Sequence, residues 1–197
     1  MKLGLAAALA LGALAAPAAA QKFSDSYTFL KAVKERDGSK AEELLARPSG
    51  AVLNARDTGS GEAALHILTR GRDRGWLSYV LSKGARADIQ NKDGETPLSL
   101  ATQLGWVEGA ELLLRSGANV DLPNRQGETP LMFAVRNADA AMVRLLMSKG
   151  ANPKRPDNIT GYSALDHAKQ NVRAASIVKL LEAAPAKPAR EAAGPPR

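Results

Sequence analysis

Apolar residues along this chain fall in short sets at three- and four-residue steps, separated by polar, glycine-bearing turns. That spacing predicts short amphipathic helices rather than strands. Leu98 and Ala101 face one side of one such helix, and Leu131 and Ala134 of another. A second helix follows each, over Val107–Arg115 and Ala140–Ser148, with Ala110, Leu113 and Leu114, then Val143, Leu146 and Met147, on its apolar side. Residues 172–183 predict a last amphipathic helix carrying Ile177, Val178, Leu180 and Leu181. Near the start of the chain, Ser39-Lys40-Ala41-Glu42 has the form of a capping box opening a helix.

These sets recur with a fixed period, which bears on the whole fold. Gly61-Glu62-Ala63-Ala64-Leu65 returns as Gly94-Glu95-Thr96-Pro97-Leu98, as Gly127-Glu128-Thr129-Pro130-Leu131 and, more loosely, as Gly161-Tyr162-Ser163-Ala164-Leu165. The leading glycines stand 33, 33 and 34 positions apart. A second series, Gly84-Ala85, Gly117-Ala118 and Gly150-Ala151, repeats at 33. Thr-Pro places a hydroxyl at a helix N-cap and a proline where its missing N–H costs nothing. The glycine after the second helix can take the left-handed conformation that ends it.

The pattern G-x-T-P-L, then Ala, then paired Leu-type residues, then Gly-Ala resembles the ankyrin repeat, over roughly residues 24–184. The resemblance implies an all-α solenoid of stacked helix-turn-helix units joined by hairpin-like turns. About five units are expected at 21–184, the terminal two acting as caps. Phe29 takes the Leu65 position, but 36 residues separate them instead of 33, with the extra length placed near Pro48-Ser49 and the turn at Thr58. The unit at 58–90 has Ala63-Ala64 for Thr-Pro yet keeps Leu65-His66, whereas Ser99 and Met132 stand where the family usually has His. The resemblance implies that His66 is structural, braced against neighbouring turns.

Both chain ends differ from this middle. Met1-Lys2, an uncharged Leu/Ala/Gly run at 3–16, Pro17 and Ala18-Ala19-Ala20 follow the order of a cleavable secretory signal peptide at 1–20. A retained membrane anchor is disfavoured by Pro17 and the weakly apolar alanines. The Ala-rich style suggests a bacterial source, hence periplasmic or extracellular destination. Residues 185–197, rich in Pro, Ala and Arg, offer little apolar surface to bury and are expected to be disordered. The formal charge is +7, and Lys2 is the only charged residue of the first twenty. A modest basic excess raises encounter rates with acidic partners without identifying one. The absence of cysteine excludes disulfides, thiolate nucleophiles and zinc knuckles, so packing alone must hold the fold.

The search for chemistry returns little. The chain has two histidines, His66 and His167, and no serine in a G-x-S-x-G setting. Its glycines follow the repeat and form no phosphate-binding loop, and no metal or cofactor motif is present. Asn158-Ile159-Thr160 has the form of a glycosylation acceptor in a predicted loop, without meaning if the source is bacterial. A non-enzymatic, monomeric binder of one or a few proteins is therefore expected. A polyanion binder is the alternative and an unrecognised hydrolase the weakest reading.

The resemblance implies that partners meet the turn tips and the exposed side of the first helices. Those positions are Ser60, Glu62 and Arg70 in one unit. In the next they are Lys92, Asp93, Glu95, Gln103 and Leu104, and in the third Arg125, Gln126, Glu128, Arg136 and Asn137. Arg70, Lys92, Arg125 and Arg136 could align as a basic stripe, diluted by Glu62, Glu95 and Glu128; nucleic acid is disfavoured for that reason. Trp76 and Trp106 both start second helices, where a partly exposed tryptophan would serve as a binding anchor.

Overall fold

The computed structural model describes residues 18–47, 52–171 and 174–183. Most of the predicted signal segment, the Pro48-Ser49 position and the 185–197 tail lie outside the described residues. Ten helices are present among those described, in antiparallel pairs. They are α1 (Ala18–Glu35) with α2 (Gly38–Leu45), α3 (Ala64–Arg70) with α4 (Arg74–Ser82), and α5 (Pro97–Gln103) with α6 (Val107–Arg115). The series continues with α7 (Pro130–Arg136) and α8 (Ala140–Ser148), and ends with α9 (Ala164–Gln170) and α10 (Ala175–Glu182). The odd-numbered helices stack as one layer, and α4, α6, α8 and α10 pack as a second behind it. The expected all-α solenoid is what the chain forms.

The core runs continuously through the stack. Phe29, Leu65, Leu98 and Leu131 occupy equivalent places in the first-helix layer and are buried, and their counterpart in the last unit, Leu165, is half-buried against the core. Leu44, Val80, Leu113 and Leu146 occupy equivalent, buried places in the second. Helices α2 to α10 are each too short to be stable alone, so their free energy comes from burying their apolar sides against the neighbouring units.

Local caps explain where the helices begin. Asp37, Asp73 and Asp139 cap α2, α4 and α8, accepting from Lys40 N at 3.0 Å, Trp76 N at 3.1 Å and Met142 N at 2.9 Å. The cap of α2 is thus Asp37 rather than the expected Ser39: the helix already begins at Gly38, so Ser39 lies inside its first turn. The last helix likewise starts at Ala175, later than the periodicity predicted. In the first four units the link between first and second helix passes through the left-handed region, at Arg36, Arg72, Gly105 and Ala138.

The first helices share a second device. The N–H of the residue before the helix points at the side chain three positions on, whatever that side chain is. Ala63 N meets His66 Nδ1 at 3.2 Å, Thr96 N meets Ser99 Oγ at 2.9 Å, Thr129 N meets Met132 Sδ at 3.4 Å and Ser163 N meets Asp166 Oδ2 at 3.0 Å. Ser99 and Met132 therefore fill the local role of the absent histidines. The predicted Thr cap holds fully in α5, where Ser99 N donates to Thr96 Oγ1 at 3.0 Å. In α7 it does not: the buried Thr129 Oγ1 has no partner among the described residues.

Candidate protein-binding surface

Four turns, at 57–62, 91–95, 124–128 and 157–162, project from the first-helix layer. Each is closed by one backbone bond: Asp57 N to Glu62 O, Asn91 N to Glu95 O, Asn124 N to Glu128 O and Asp157 N to Tyr162 O. The two outer turns therefore hold one residue more than the inner two, which accounts for part of the lengthened first spacing. An Asx side chain organises every turn from within. Asn91 Oδ1 accepts from Asp93 N and Glu95 N, both at 2.9 Å, and Asn124 Oδ1 accepts from Gln126 N and Glu128 N. In the last turn Asp157 Oδ1 accepts from Ile159 N, Thr160 N and Gly161 N, and Oδ2 from Thr160 Oγ1. The Thr160 hydroxyl and these N–H groups hold the Asp157 carboxyl well below the usual carboxylate range.

The turns are joined edge to edge. Lys92 N donates to Ser60 O at 3.0 Å, Arg125 N to Asp93 O at 3.1 Å and Asn158 N to Gln126 O at 2.8 Å. This ladder explains the conserved spacing of the turn glycines along the chain. A Cβ at Gly61, Gly94 or Gly127 would lie 2.6–2.8 Å from the next turn's backbone nitrogen, and all three have positive φ. Gly161 also has positive φ but meets nothing within 4 Å, since no turn follows it among the described residues.

The acidic residue after each glycine reaches along the first helix to its last turn. Arg70 Nη2 donates to Glu62 Oε1 at 2.5 Å, Gln103 Nε2 to Glu95 Oε1 at 2.8 Å, and Arg136 Nη1 to Glu128 Oε1. The guanidinium of Arg136 also lies over the Phe133 ring at 4.7 Å. The structure thus brings Glu62 with Arg70, Glu95 with Gln103 and Glu128 with Arg136, three equivalent pairs at eight-residue spacing. Two of the four cations in the expected basic stripe are neutralised in this way. A third, Lys92, turns its Nζ to Thr58 O at 2.6 Å. Three of the four expected stripe cations thus have local acceptors, which breaks up a continuous positive track.

The remaining expected residues split between tips and joints. Ser60, Lys92, Asp93, Arg125 and Gln126 are exposed at the tips, their backbones engaged in the ladder. Leu104 and Asn137 instead lie at inter-unit joints. Arg72 Nη2 donates to Leu104 O at 2.5 Å, and Asn137 Nδ2 donates to Gln103 O at 3.1 Å. The Leu104 side chain is half-buried against the core.

Both tryptophans are packing residues of the second-helix layer. Trp106 is buried, and Gly109 exists to admit it: a Cβ there would sit 2.1 Å from the indole. Trp76 is half-buried, edge-on to Tyr79 with ring centroids 5.4 Å apart, and lies over Gly38 at the start of α2. Among the described residues the exposed large apolar side chains are Tyr27, Ile159 and Tyr162, at the two ends of the stack. Composition gave no hint of this, because exposure at the ends depends on which neighbours are missing.

The histidines are structural groups. His66 is fully buried, and burial pushes its imidazole below the ordinary value of 6.5. His167 Nε2 lies 3.4 Å from Asp157 Oδ2 and its ring stands edge-on to Tyr162, so it braces the last turn. No group of three His, Asp or Glu side chains converges as a metal site among the described residues, and no described helix is long and apolar enough to cross a membrane.

The sequence matches a family model described as ankyrin repeats, three copies, over residues 29–124 and 116–190. It is also 34% identical over 77 residues to an ankyrin repeat protein of fowlpox virus (strain NVSL). That match covers 39% of this chain and 22% of the relative, so the chain spans a minor part of the viral protein's length. Ankyrin repeats generally mediate protein–protein interaction, and the family is typically a non-enzymatic binding scaffold. With the model match covering most of its length and the repeat visible in caps, turns and core alike, this chain belongs to the ankyrin-repeat family.

Proposed function

We propose that the protein is a non-enzymatic interaction scaffold of the bacterial cell envelope, binding a partner protein through its turn tips and the exposed side of its first helices. The observation that carries this reading is the repeated surface itself. Four turns in backbone register and three equivalent Glu-to-Arg or Gln pairs present a pre-ordered polar face with little left to organise on binding. Export through the 1–20 segment is part of the proposal and rests on its n-region, apolar run and Ala-x-Ala order. The pairing of Arg70 and Arg136 favours a protein over a polyanion, whose phosphates or sulfates compete poorly for cations already held by carboxylates.

The test is affinity capture from periplasmic extract with the full chain and with an Arg70→Glu/Arg136→Glu variant. The expected result is enrichment of one or a few proteins by the parent and their loss with the variant. Salt-sensitive retention on heparin as the sole activity would replace the proposal with a polyanion binder. In the same preparation, intact mass should show a chain beginning at Gln21; a chain that keeps Met1 would remove the export element.

A further inference from the structure

The ladder of turns leaves one edge open, and the chain builds a groove beside it. Lys92, Arg125 and Asn158 each follow the first Asx of a turn and donate their N–H to the preceding turn. Thr58 holds the same position behind Asp57, but its N–H has no partner among the described residues. In place of a preceding turn stands α1, at 18 residues about twice the length of any other described helix. Between α1, the first turn and α3 lies a groove of about 1280 Å³. Its apolar side is formed by Tyr27, 70% exposed, with Leu30 and the half-buried Ile67.

Charge along the groove is unbalanced in one direction. Glu35 is held by Lys31 at 3.9 Å, Asp73 by Arg36 at 3.7 Å and Glu62 by Arg70 at 2.5 Å, while Asp57 accepts from Ser60. Lys34 and Arg56 also line the groove and hold no ion pair or hydrogen bond among the described residues. Among the described residues the site therefore offers an unpartnered backbone donor, two unpaired cations and an exposed aromatic ring.

We infer that this groove takes an extended acidic segment of a partner protein. A backbone carbonyl of that segment meets Thr58 N–H, as a preceding turn would. Its carboxylates meet Lys34 and Arg56, and an apolar side chain lies on Tyr27, Leu30 and Ile67. The chain's own residues 1–17 do not match, because they carry Lys2 and no carboxylate. The inference rests on the scaffold reading above and narrows it to one end of the stack.

The experiment displays a random library of peptides about twelve residues long against the full-length chain, with binding of enriched peptides measured by fluorescence anisotropy. The expected result is enrichment of sequences with Asp or Glu beside an aliphatic or aromatic residue. Their affinity should fall at least tenfold on Lys34→Glu or Arg56→Glu and also on Tyr27→Ala, each checked as folded by circular dichroism. Enriched peptides whose binding survives all three substitutions overturn the inference, as does failure to enrich any. So does a dimer, seen by sedimentation velocity, that dissociates in the Arg56→Glu variant, since the groove would then seat a second copy. A partner captured by the parent chain and equally by the Lys34→Glu and Arg56→Glu variants sinks this inference alone; no captured partner sinks the scaffold reading itself.

Discussion

His66 Nε2 lies 3.0 Å from the carbonyl oxygen of Glu95, tying the first helix of one unit to the turn of the next. With Nδ1 accepting from Ala63 N–H at 3.2 Å, the ring must be neutral and carry its proton on Nε2. Ser99, Met132 and Asp166 satisfy the same local N–H in their own units, but their side chains make no such bond to a following turn. His66 is thus both a local cap and an inter-unit brace.

The pH dependence follows from that neutrality. The folded imidazole sits below the ordinary value of 6.5, so the unfolded chain binds more protons as acid is added. Stability from this group is complete above about pH 6.5 and declines as pH falls from there toward the depressed folded value. Urea midpoints should therefore drop between about pH 7 and about pH 5 in the parent. A His66→Gln variant should lose that dependence; an equal drop in both would place the titration elsewhere.

Gly127 and Gly161 separate two costs that usually occur together. Both have positive φ, but only Gly127 faces a following turn, whose Asn158 N would be 2.6 Å from a new Cβ. Gly161→Ala should cost about 1–2 kcal/mol, the strain of a left-handed alanine. Gly127→Ala should cost more than twice that, because the ladder must open as well. Denaturant unfolding of the two variants measures the difference, and equal costs would mean that the turns are not in contact.

Asp157 organises the last turn through four hydrogen bonds from residues 159–161. Asp157→Ala should destabilise by about 2–3 kcal/mol, the cost of leaving several turn donors unmatched. Its depressed ionisation contributes stability above the ordinary carboxylate value of 3.8 that is lost as pH falls further. Amide exchange at 159–161 should accelerate in the variant while exchange in α5 and α7 stays slow.

Trp106 and Gly109 form a lock in the second-helix layer. Gly109→Ala would place a methyl group 2.1 Å from the indole, so the ring must leave its buried site. In a Trp76→Phe background, where Trp106 is the sole indole, its emission should shift to the red. An unchanged spectrum would show that the helix, not the ring, moves.

Core register gives the plainest check on the repeat. Leu98 and Leu131 are fully buried, and truncating either to alanine should cost about 2–5 kcal/mol. A change below about 0.5 kcal/mol, typical of surface sites, would place them off the core.

The sequence by itself determined the unit, its period and its core. Short-range rules suffice there: Leu98 and Leu131 follow helical spacing, Thr-Pro opens a helix, and glycine takes positive φ. Some local details escaped it for equally local reasons. Ser39 has the composition of a cap, but Asp37 is placed one residue before the helix and captures Lys40 N first. Only the tertiary structure decided which side chains are free to bind. Arg70 and Arg136 are cations in the sequence, yet stacking and helix phase place each against a glutamate eight residues earlier. Trp106 has the chemistry of an anchor, but a glycine three residues on lets it close into the core. The open groove beside Thr58 depends on which edge of the stack has no neighbouring turn among the described residues. That is a property of how units meet across 30 or more residues, and local spacing carries no record of it.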